Sequence, residues 1–152
     1  MSTKISLLSL VAIALSLTTL STVAQPSVCP HDAGYWKNHP TAWPVTSLTL
    51  GSQTYTQTEL LAILGTSPGT GGKADASLQL ADLLISAKLN IANGVNGTPI
   101  AATITTADGL LAGFSGKLPY NVSTSSTVGR SMLLADDSLD KFNGGKLTPG
   151  CH

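Results

Sequence analysis

Cys29 and Cys151 are the only cysteines of this chain, and they lie close to the two ends of residues 25–152. In an oxidising compartment, two cysteines with no other partner pair with each other. Free thiols or a bridge between two chains are the alternatives. The intramolecular bond closes almost everything between the ends into one ring. In the chain-entropy model a loop of that length stabilises by about 4–5 kcal/mol. It also brings both ends to one place, so any fold for this sequence must have adjacent termini.

The compartment is indicated by residues 1–24. Lys4 forms a short basic region, Ile5 to Leu20 is an apolar run interrupted by serines and threonines, and Thr22-Val23-Ala24 supplies small residues before Gln25-Pro26. This is the pattern of a secretory signal peptide cleaved after Ala24. An uncleaved membrane anchor is the competing reading, and the hydroxyl content and small residues at the end of the run favour cleavage. The expected product is a secreted, extracellular chain from Gln25 to His152, forming a single domain with no membrane insertion.

Charged residues make up 11% of the chain, against about 25% in typical globular domains. Removing Lys4 from eight basic residues leaves seven against eight acidic ones. With no basic run, the balance argues against nucleic acid or an anionic membrane as partner. Asn96-Gly97-Thr98 and Asn121-Val122-Ser123 fit the N-glycosylation pattern, so Asn96 and Asn121 are candidate acceptors.

Most of the chain reads as helix. Val45 to Thr54 reads as extended, turning at Gly51-Ser52, with a small hairpin as one possibility. Thr56 and Glu59 form a capping box for a first helix that Gly65 stops. Asp75 caps a second and longest helix, which ends at Asn93-Gly94. Its apolar residues lie on nearly every face, as expected of a helix in the middle of a bundle. Thr98-Pro99 opens a third helix reaching toward Phe114, in which Gly109 costs about 1 kcal/mol relative to alanine. Val128, Met132, Ala135, Leu139 and Phe142 mark a fourth, ended by Asn143-Gly144-Gly145. The predicted fold is all-α: a bundle of about four helices, with an aromatic-rich N-terminal loop segment tied to the C-terminus by the disulfide.

That segment, Cys29 to Trp43, holds both tryptophans, two of the three histidines and one of the three tyrosines. Its Gly34-Tyr35-Trp36-Lys37-Asn38-His39-Pro40 and Trp43-Pro44 resemble a recurrent domain of secreted microbial proteins. In that domain a cysteine precedes a Gly-aromatic-Trp-Lys-x-His-Pro motif. Ala87-Lys88-Leu89-Asn90 and Leu139-Asp140-Lys141-Phe142-Asn143-Gly144 are similar to the helical part of the same family. The resemblance implies secretion and a single domain; the family is uncharacterised and lends no activity.

The segment admits three readings. Tyr35, Trp36 and Trp43 beside Lys37 and Asn38 suit a ligand-binding surface, and exposed ring faces would suit a glycan. Alternatively, the tryptophans plug one end of the bundle, burying about 150–250 Å² each, and Lys37 and Asn38 remain outside as the recognition surface. Finally, the disulfide draws His31, Asp32 and His152 together. If His39 folds back to them, the group could take zinc or copper, the only cofactors indicated.

Other motifs fail on chemistry. Gly65-Thr66-Ser67-Pro68-Gly69 matches a nucleophile elbow, but a helix precedes it and Pro68 has no N–H for an oxyanion. Gly71-Gly72-Lys73-Ala74 lacks the spacing and hydroxyl of a phosphate loop. Asp136, Asp137 and Asp140 lack the glycine and distant glutamate of a calcium loop, and Asp136 with Asp140 reads as a solvated helix face. No complete catalytic set is legible, and the reading leans away from an enzyme. It favours a secreted binding or assembly domain at a cell surface or matrix, whose partner is an extracellular protein or glycan. Metal binding is the alternative, and a glycan-binding module the weaker one.

Overall fold

A computed structural model describes residues 28–151. The expected signal peptide, its cleavage point and His152 lie outside the described residues. The chain forms α1 (Ala33–Asn38), β1 (Ser47–Leu50), β2 (Gln53–Thr56), α2 (Gln57–Gly65), α3 (Ala76–Ala92), α4 (Ala101–Ala112) and α5 (Thr127–Asn143). Single 3₁₀ turns lie at Pro40–Ala42, Gly71–Lys73 and Thr98–Ile100.

The four predicted helices form, and α2 and α3 start on the expected caps. Thr56 accepts from the Glu59 amide while Glu59 accepts from the Thr56 amide, completing the capping box of α2. Asp75 caps α3 and Ser126 caps α5. Because α2 ends at Gly65, a helix does precede Ser67, and the nucleophile elbow has no strand to stand on.

The all-α expectation is incomplete in two places. First, β1 and β2 pair antiparallel, with Leu48 opposite Tyr55, around the Gly51-Ser52 turn. Gly51 has φ +61°, and a Cβ there would sit 2.7 Å from the Ala112 amide nitrogen. Only glycine meets both conditions. Second, the aromatic segment is not a loop. Asp32 accepts from the Tyr35 amide at 2.7 Å and starts α1, which ends at His39 before Pro40.

At the centre lies α3, with Leu80, Ala81, Leu84, Ile85, Ala87 and Leu89 entirely buried. Its most extensive partner is α5. Asp75, before α3, pairs with Ser123, before α5, and Asn90 near the end of α3 bonds Asn143 at the end of α5. The two helices therefore run parallel, with α4 as the crossover. Meanwhile α1 packs on α3 and α2, and the hairpin packs on α2, α3 and α4. The Cys29–Cys151 disulfide spans a Cα–Cα distance of 5.4 Å. It joins the segment leading into α1 to the turns that follow α5.

Candidate functional site

The Cys29–Trp43 segment divides into an inner and an outer side because a short helix has only so many faces. Trp36 is the inner side, 1% exposed and part of the main core. Trp43 is half-buried and donates its indole N–H to the Trp36 carbonyl at 2.8 Å. These two residues follow the plug reading, completely for Trp36 and in part for Trp43. An exposed row of tryptophans is not what forms.

One asparagine explains why Trp36 can be buried with its polar N–H. Asn90 is itself fully buried on α3. Its Oδ1 accepts from the Trp36 Nε1 at 3.2 Å and from the His31 amide at 2.8 Å. Its Nδ2 donates to the His31 carbonyl at 2.7 Å and to Asn143 Oδ1 at 3.0 Å. The Asn143 amide then donates to the Leu83 carbonyl. One side chain thus satisfies polar groups from three parts of the chain, which is the condition for burying them at all. Asn90 and Asn143 lie on α3 and α5, and no periodicity in the sequence marks them as partners.

The outer side carries Lys37, Asn38 and His39, all exposed, and half-buried Tyr35. His31 stacks on Tyr35 with centroids 3.7 Å apart, and His39 stacks on Tyr35 at 4.3 Å. Two rings so close cannot share one face of the phenol, so the imidazoles sandwich it. His39 Nδ1 lies 2.9 Å from the Tyr35 carbonyl oxygen, and Asn38 donates to the Gly34 carbonyl. The outer surface is therefore held in one shape by its own stack and bonds.

This geometry removes the three-histidine form of the metal reading. A shared zinc or copper ion needs each ligand atom about 2 Å away, and the Tyr35 ring stands between the imidazoles of His31 and His39. Asp32 is committed to the α1 N-terminus. Among the described residues, no group of three or more His, Cys, Asp or Glu is placed to hold a metal ion.

The expected glycosylation acceptors, Asn96 and Asn121, are both exposed. A cleft of about 350 Å³ lined by Tyr55, Glu59 and Lys117 shares no residue with the aromatic segment. Lys117 lies over the Tyr55 ring there and pairs with Glu59. Its hydrogen bond, helped by those from Thr56, lowers the Glu59 carboxyl to about 2.

The acidic residues of α5 depart from the expected solvated face. Asp137 pairs with Lys141 in the open and Asp140 is exposed, but Asp136 is half-buried. Its Oδ1 is shut off from solvent and has no hydrogen-bond partner, as are Asp82 Oδ1 and Gln79 Oε1 on α3.

No family model matches this chain, and no curated protein or solved structure is significantly similar to it. Among the described residues, no helix is long and apolar enough to cross a membrane.

Proposed function

We propose that this protein is a secreted, non-catalytic domain that binds an extracellular protein partner through the outer side of α1. The observation that carries the reading is the split of one short motif. Trp36 is locked into the core while Lys37, Asn38 and His39, its immediate neighbours, face outward on a pre-shaped surface. Pre-organised exposed groups lose little conformational freedom on binding. The disulfide suits an oxidising compartment, and the resemblance to secreted microbial domains points the same way.

A protein partner is favoured over a glycan because stacking faces are scarce. Both faces of Tyr35 are occupied by imidazoles, Trp36 is buried, and Trp43 is half-buried. Sugar recognition relies on open ring faces.

The test uses the labelled, disulfide-bonded chain and intact cells of the producing strain, with and without prior protease treatment of the cell surface. The expected result is retention that protease treatment abolishes and that Lys37→Glu with Asn38→Ala reduces at least tenfold, the variant keeping its native near-ultraviolet dichroism. Retention that survives protease, or that the double variant leaves unchanged, removes the assignment.

A further inference from the structure

The seam between α3 and α5 contains an imbalance that the packing does not resolve. Gln79 Oε1, Asp82 Oδ1 and Asp136 Oδ1 are buried oxygens without a hydrogen-bond partner. All three are acceptors. Asn143 bonds both Leu83 and Asn90 of α3, so in the parallel register Asp136, two turns before Asn143, falls level with the Gln79–Asp82 turn of α3. Gln79 lies three residues before Asp82 on the same helix. Shielded acceptors left without a donor are costly, and two half-buried carboxylates on facing turns are more so. A proton on a carboxyl oxygen is the smallest group that supplies a donor and removes a charge in one step.

We infer that Asp82 and Asp136 form a proton-held clasp between α3 and α5, closed when the carboxyls carry protons and loosened when both ionise. The surroundings agree. Burial pushes the Asp82 carboxyl up to about 7; Lys37 on α1 pulls it down and Asp136 adds to the rise. Burial likewise raises Asp136 to about 7, with Asp140 on the same helix adding to it. Lys37 is thus the cation from a neighbouring element that opposes the effect. Lys141, on α5, is paired with Asp137.

The sign follows from linkage. Both groups hold their protons more tightly in the folded chain than at their ordinary value of 3.8. Their contribution is complete below that value and is lost as pH rises through about 7. Glu59 works in the opposite sense, but only as pH falls from 4.5 toward 2.

Urea unfolding of the disulfide-bonded chain should show stability falling from pH about 5 to about 7 and then levelling. Each retained proton changes the unfolding equilibrium about tenfold per pH unit within that window. Asp82→Asn, an uncharged near-isostere with its own donor, should remove about half of this slope, as should Asp136→Asn. Carboxyl carbon NMR of the unsubstituted chain reads the two groups directly, whether or not either variant folds. Titration of both near the ordinary aspartate value overturns the clasp, as does a stability that is level or rising across the window. A large gain in melting temperature from calcium chloride above pH about 8, absent in Asp82→Asn, also overturns it, since a cation would then be what the oxygens hold.

Discussion

At the scale of single residues, Asn90 does more for this fold than any residue the sequence advertises. Its side chain has one acceptor and one donor group, and both are used twice, toward His31, Trp36 and Asn143. Alanine at this position leaves the buried Trp36 N–H and the Asn143 oxygen unpartnered and opens space beside them. Each orphaned group costs about 1–3 kcal/mol. Asn90→Ala should therefore destabilise by about 3 kcal/mol in urea unfolding and red-shift the Trp36 emission. A loss below about 1 kcal/mol would mean that water replaces the amide. The motif around Trp36 thus has two sides, and the sequence shows only their overlap. Trp36 anchors the segment, whereas Lys37 and Asn38 lie exposed.

Among the elements, the hairpin is held by charge as well as by packing. Lys88 on α3 donates to the Thr49 carbonyl at 2.6 Å and to both oxygens of Asp108 on α4, and Asp108 also accepts from the Gly51 amide at 2.9 Å. A two-stranded hairpin is marginal by itself, so this joint decides whether it stays closed. Lys88→Met keeps the aliphatic stem and removes the donor. We expect a loss of about 1–3 kcal/mol and much faster hydrogen exchange at Gly51, with the Leu84–Leu89 amides of α3 unchanged. Equal acceleration in both places would place Lys88 in the global fold instead. The starts of α2 and α3 were legible because capping is local: Thr56 with Glu59, and Asp75, each bond within a few residues. The cap of α5, Ser126, lies among serines and threonines that look alike in the sequence. Helix α1 was not legible, because six residues are too few to show a period.

For the molecule as a whole, the Cys29–Cys151 bond closes a loop of 122 residues and fixes α1 against the end of α5. Replacing both cysteines with serine should cost about 3–5 kcal/mol, a value bounded by loop-closure entropy. Differential scanning calorimetry of the two forms measures it. Retention of native near-ultraviolet dichroism in the variant below its melting temperature is also expected, because Asn90 still holds the segment on α3. Loss of that signal would make the covalent tie, rather than the amide network, the element that positions α1.

The sequence by itself determined the pairing of two lone cysteines, the presence of the four longer helices, and the central place of α3. Each of these depends on spacing or on bonds within a few residues, which the linear order records. Only the tertiary structure decided which side of the aromatic segment faces out, that Tyr35 separates His31 from His39, and that Asp82 and Asp136 each keep a shielded, unpartnered oxygen. Those outcomes depend on contacts such as Trp36 with Asn90, more than fifty positions apart. Burial acts there on whatever group the packing brings near, and the sequence carries no local trace of it.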